Sequence, residues 1–183
     1  TVRAVPILPT TYFSSLPAPI GIGYFGVEND SGVIRGTVLE YREAIGYATV
    51  YSILAYNASP PKGVSEYGAS LQMNAVLFVD TVHGTYAYWL QNVVVFMTNE
   101  SVFYITDNVW NYTGSISTFA SNSVTGHGKI HTSVFHGLFY AYTGARGSYS
   151  LPFSVILYTR LDSVSPNNVT VSFGYNLGRG TVW

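Results

Sequence analysis

The 183-residue chain contains no cysteine, which excludes disulfide scaffolds, zinc–thiolate centres and cysteine nucleophiles. Charge is almost as scarce. Asp, Glu, Lys and Arg make up 9% of the residues, against about 25% in ordinary domains. Eight Lys and Arg face nine Asp and Glu, a net charge of -1, and the cations are scattered. Nucleic acid is therefore not expected as a partner, since phosphate binding needs clustered cations. No stretch reaches the roughly 18 consecutive apolar residues of a membrane-spanning helix. The opening Thr1 to Pro6 lacks a long apolar leader core, so a processed chain is expected. Ala, Lys, Glu and Leu are too sparse for a helical bundle.

Hydrophobic residues, by contrast, make up 48% and aromatics 16%, with 16 Tyr and 10 Phe. This suffices for one sizeable core and excludes a disordered chain. Tyr and β-branched residues favour strands. Strands are expected over 33–39, 45–56, 70–80, 85–97, 101–106, 115–119, 129–141, 150–161 and 168–176, separated by turn clusters such as His83-Gly84, Gly144 to Gly147 and Ser165 to Asn168. Such spacing indicates an all-β fold, an antiparallel β-sandwich or jelly-roll-like domain over 20–183. Residues 1–19 carry Pro6, Pro9, Pro17 and Pro19 and read as an extended arm. Gly21, Gly23 and Gly26 match G-x-G-x-x-G, but turn chemistry rather than a helix follows, so close backbone packing explains them better than a nucleotide.

Period-two alternation assigns faces. Leu71, Met73, Ala75, Leu77 and Val79 form a core face, and Gln72, Asn74, Val76 and Phe78 the opposite one. In the next strand Trp89 and Gln91 share a face with Val93, while Tyr88, Leu90 and Asn92 share the other. Amides among aromatics admit two readings: a satisfied hydrogen-bond network, or a groove that meets a peptide backbone.

Chemistry is limited by what is available. His83, His127, His131 and His136 show no metal-ligand spacing and read as surface or turn residues, and no metal or other cofactor is expected. No G-x-S-x-G elbow occurs. Among the carboxylates, Glu43 precedes a strongly apolar strand and Asp107 stands in Ile105-Thr-Asp-Asn-Val-Trp-Asn111. Desolvation there would raise a carboxyl pKa, and a raised acid beside an ionised one activates water for amide hydrolysis. Asp107 also reads as a turn cap. N-x-S/T acceptor sequences occur at Asn29, Asn57, Asn99, Asn111 and Asn168, which with the low charge suggests a secreted glycoprotein.

The segments Pro17 to Gly26, Ala69-Ser-Leu-Gln-Met-Asn-Ala75, Tyr86-Ala-Tyr-Trp-Leu-Gln-Asn-Val93 and Asp107-Asn-Val-Trp-Asn111 together resemble the thermopsin family. The resemblance covers roughly 17–176. It implies a secreted acid endopeptidase of heat- and acid-loving archaea, acting without metal and lacking the D-T-G motifs of pepsin-like enzymes. The family's domain continues past the part that matches Gly174 to Gly180, which leaves a C-terminally shortened member, a processed piece or a relative put to another use as the expectations. Glu43 and Asp107 fall within matching stretches and are the expected catalytic pair. Gln72, Asn74, Trp89, Gln91 and Asn108 are the expected substrate-binding residues, with a peptide or denatured protein as substrate. The composition suits acid: with carboxylates protonated, few salt bridges are lost. The rival reading is a non-catalytic surface or filament subunit on the same sandwich, assembled by strand donation from the 1–19 arm. Sugar binding by exposed Trp and Tyr is a third, without a specific motif.

Overall fold

The computed structural model describes residues 27–36, 41–60, 62–120, 123–133, 136–165 and 168–183. The expected 1–19 arm and the Gly21 to Gly26 motif lie outside them. The described residues form strands and no helix. A five-stranded sheet has the order β4-β5-β6-β8-β7, from β4 (Gly68–Thr81), β5 (Gly84–Met97), β6 (Val102–Asn111), β7 (Lys129–Ser133) and β8 (Gly137–Ser148). A four-stranded sheet has the order β11-β10-β9-β3, from β3 (Glu43–Val50), β9 (Phe153–Val164), β10 (Val169–Asn176) and β11 (Thr181–Val182). Strands β1 (Val27–Asp30) and β2 (Val33–Gly36) pair as a separate hairpin. Every ladder is antiparallel, and the two large sheets form the expected β-sandwich.

Alternation does here what the sequence predicts. Leu71, Met73, Ala75 and Leu77 of β4 point inward with Leu90, Val94 and Phe96 of β5 and Phe103 and Ile105 of β6. Phe153, Val155 and Leu157 of β9 meet them from the other sheet. Phe153 packs against Phe96 and Phe103 with ring centroids 5.4 and 5.1 Å apart. The β4–β5 hairpin turns at Val82-His83, where Thr81 Oγ1 accepts from His83 N and donates to Gly84 O. Gly84 takes a positive φ of 124° that other residues rarely adopt.

Several elements depart from expectation. The strand expected over 101–106 runs on to Asn111, so Asp107 stands mid-strand and does not cap a turn. The single strand expected over 129–141 is two, β7 and β8, with His136 in the turn between them. The turn expected at Gly144 to Gly147 lies within β8. Gly144 has no partner on β6, because the register slips between Ile105 and Thr106, which makes it a bulge. Gly147 leaves room for the Phe103 ring, 3.0 Å from where a Cβ would stand. Segment 115–119 contributes only a bridge from Ser117 to Gly137. The strand expected over 45–56 starts at Glu43 and ends at Val50.

Candidate functional site

One row of the five-stranded sheet breaks the apolar interior. Met73, Asn92, Asp107 and Tyr142 are successive ladder partners across β4, β5, β6 and β8, and so share the inner face. On one side of the row lie Val94 and Ile105, on the other Leu90 and Val109.

Asn92 is wholly buried. Its Nδ2 donates to the carbonyl oxygens of Tyr158 (2.9 Å) and Gly174 (2.8 Å), on β9 and β10, so this amide ties one sheet to the other. Both N–H groups are spent, and turning the amide over would set Oδ1 against two carbonyl oxygens. The orientation is thus fixed, and it leaves Oδ1 buried without a partner. Such an orphaned acceptor costs about 1–3 kcal/mol.

Asp107, directly across from Asn92, is largely shielded from water. Burial pushes its carboxyl up to about 7, because the charged form loses hydration. Tyr142, the next residue of the row, is 36% exposed. Its ring lies 5.7 Å from that of His127, and both Tyr142 and Tyr175 of β10 come within 4 Å of where a Cβ on Gly144 would stand. Over two strands the row therefore passes from full burial to solvent, with the carboxyl between.

The outer face of the same sheet carries a second constellation. Gln91 is buried there and acts as the hub. Its Nε2 donates to Gln72 Oε1 (3.0 Å) and Asn74 Oδ1 (3.1 Å), and its Oε1 accepts from the Trp110 indole (2.7 Å). The Trp89 indole donates to Asn74 Oδ1 (3.1 Å). Trp110 stacks on Phe139 at 4.3 Å, and Trp89 meets Tyr112 edge-on. Asn108 is the ladder partner of Gln91, and its amide takes no part in the network. Gln72, Asn74, Trp89, Gln91 and Asn108 are thus brought together, in a network that satisfies most of its own amides. The carboxyl that the strands of this sheet carry on this face is Asp80 at the hairpin end, held by the Thr85 hydroxyl (2.6 Å).

The expected catalytic pair is not brought together. Glu43 is exposed on the outward face of the four-stranded sheet, in the ladder with Arg160. Its neighbours in alternation, Ala44 and Gly46, point inward, and a Cβ on Gly46 would stand 3.1 Å from Met73 Sδ. Asp107 faces inward from the opposing sheet, so the two carboxyls lie on opposite sides of the four-stranded sheet. Asp107 and the amide network also lie on opposite faces of one sheet, and one peptide segment cannot contact both. The arrangement of a peptide on the amides with the Glu43 and Asp107 carboxyls beside it is therefore corrected. Asn92 and Tyr142 were missed as members of the site. The signal for Asn92 was a lone amide between Leu90 and Val94 at core-facing positions; for Tyr142 there was none, because the bulge that sets its parity is not legible.

The other marked residues are dispersed. His83, His127, His131 and His136 are all exposed, and the described residues hold no metal-like cluster of His, Asp and Glu. Of the glycan acceptors, Asn99 and Asn168 are exposed. Asn57 accepts from Ser59 N, Asn111 Nδ2 is committed to Thr118 O, and the Asn29 side chain lies outside the described ones.

The family model described as Thermopsin matches residues 5–183. Over 123 residues the chain is 47% identical to Thermopsin of Sulfolobus acidocaldarius, an alignment covering 67% of this chain and 36% of that protein. The chain thus spans little more than a third of the length of the curated relative it matches. No solved structure matches it significantly.

Proposed function

The chain belongs to the thermopsin family, and on that premise we propose that it is an acid endopeptidase in which Asp107 is the proton-holding carboxyl. The observation that carries this reading is the environment of Asp107. Among the described side chains it is the one carboxyl not exposed, and with its ordinary value raised to about 7 it keeps its proton throughout the acid range. A protonated carboxyl is a donor. Reached from the Tyr142 side, it gives its proton to the scissile carbonyl oxygen as water attacks and takes one back from that water, a transfer that an amide in its place cannot make. Above about pH 7 the carboxyl ionises and can no longer donate, so activity belongs to the acid side.

The substrate is an unfolded polypeptide. Gln72, Asn74, Trp89, Gln91 and Asn108 hold a more distant stretch of it on the outer face, with Trp89 offering an apolar surface. The chain is secreted, and Asn99 and Asn168 are its best placed glycan acceptors. Hydrolysis of a denatured protein at pH 3 tests the central assignment. Asp107→Asn is expected to lose about 100-fold or more, the usual contribution of a positioned acid, and Glu43→Gln to keep its activity. Full activity in Asp107→Asn overturns the reading.

A second reading rests on β3. It pairs with β9 alone and is an edge among the described strands, with Ile45 and Tyr47 exposed on its outward face. A free edge with apolar side chains accepts another strand. On this reading the chain is an extracellular filament subunit whose 1–19 arm completes a neighbour's sheet. Polymers in electron micrographs, converted to monomers by deleting residues 1–16, would favour it over the peptidase.

A further inference from the structure

The orphaned acceptor of Asn92 and the carboxyl of Asp107 face the same problem from two sides. Oδ1 of Asn92 is buried, its orientation is fixed by two bonds to the opposing sheet, and it has no donor. Donors near it are few. Met73, its ladder neighbour on one side, has none, Leu90 and Val94 above and below have none, and Thr159, buried on the facing side of β9, does not bond to it. Asp107, its ladder neighbour on the other side, has one whenever its carboxyl is protonated.

We propose that Asn92 Oδ1 is the fixed acceptor of the Asp107 carboxyl proton, making Asn92 a positioning residue for that acid. The inference rests on the reading of Asp107 as the acting acid, but its physics concerns only the two side chains. A buried amide acceptor favours the protonated carboxyl twice over. It gains a donor when the proton is present, and it sets its own negative end against a carboxylate when the proton leaves. It also sets where the single proton rests: without substrate the O–H of Asp107 points at Asn92, and the proton goes to the scissile carbonyl oxygen only when that oxygen replaces Asn92 as its acceptor. The titratable groups that face the pair are Tyr142 from β8, His127 from the loop against Tyr142, and Tyr175 from β10. None of the described Lys or Arg side chains belongs to the row; Tyr41 and Arg42, just before β3, line a small cavity with Leu90 and Thr159, the next inward positions beside Asn92. Arg146 of β8 lies against the Tyr104 ring, and Arg160 of β9 over Trp183 and beside Asp162.

Side-chain NMR of the intact chain tests this without reference to catalysis. In the wild-type protein the Asn92 Cγ and Nδ2 resonances should move with the same midpoint as Asp107 Cγ, and should be flat with pH in Asp107→Asn. In Asn92→Ser the Asp107 midpoint should fall by about one pH unit, the worth of one hydrogen bond. Met73→Ala, which loosens the other side of Asn92 but keeps the acceptor, should shift it by less than half as much. The high-pH limb of peptidase activity should fall with the midpoint in Asn92→Ser. Asn92 resonances that ignore the Asp107 titration overturn the proposal, as does an equal shift in Met73→Ala, which assigns the effect to water entering the core. The wild-type measurement stands even where Asn92→Ser does not fold. A peptidase that survives Asp107→Asn would sink the catalytic reading and leave these resonances unchanged.

Discussion

Raising the pH from 4 to 8 should destabilise this sandwich, and Asp107→Asn should abolish most of the effect. In the unfolded chain the carboxyl titrates near 3.8, and in the folded chain at about 7. Between these values the folded state holds a proton that the unfolded state has lost, so unfolding releases it and stability falls as pH rises. The contribution is complete below about 3.8 and gone above about 7. A difference of roughly three pH units at 1.36 kcal/mol each amounts to about 4 kcal/mol. That is a large part of a domain's total stability of about 5–15 kcal/mol. At roughly 2–4 °C per kcal/mol for a chain of this size, the melting temperature should drop by about 10 °C. Asp162 acts oppositely: the Ser172 hydroxyl, chiefly, and Arg160 lower its value against a smaller opposing effect of burial, so its contribution is lost as pH falls through more acid values. The two windows do not overlap. Thermal melts of both proteins at intervals from pH 4 to 8 provide the measurement. Asp107→Asn keeps the shape and a donor, so it should match the wild type near pH 4 and exceed it at pH 8. Parallel curves for the two proteins would refute the reasoning.

Trp89→Ala should raise KM for a denatured protein several-fold with little change in kcat, because Trp89 stands on the face of β5 opposite Asp107; an equal fall in kcat would deny that separation. Gln91→Leu should cost about 1–3 kcal/mol and shift the Trp fluorescence, because it strands the Trp110 indole that donates to its Oε1. Phe96→Ala should cost about 3–5 kcal/mol in urea unfolding, because Phe96 is 1% exposed and packs edge-on against both Tyr149 and Phe153.

Much of the local structure was legible. The inward set from Leu71 to Leu77 and the split of Gln91 from Asn92 follow from alternation alone, and Val82-His83 with a glycine after it reads as a hairpin turn. Asp107 was harder, because Thr106-Asp-Asn has the composition of a turn; pairing with β5 and β8 on both sides holds it extended. Gly144 and Gly147 misled for the same reason, since a bulge and a close approach to Phe103 need glycine as much as a turn does.

The order of polar and apolar side chains along the chain thus determined by itself that this is an all-β fold of antiparallel strands, and which residues of each long strand share a face; that the strands divide into two packed sheets came from the tertiary structure. Such parity is a property of the backbone and needs no distant partner. Which carboxyls would meet was decided only by the tertiary structure. Glu43 follows β3 to the side of β9, more than a hundred residues later, and Asp107 follows β6 between β5 and β8. That partition depends on how the completed faces pack together, and the same packing leaves Asn92 fixed beside Asp107 with an acceptor to offer.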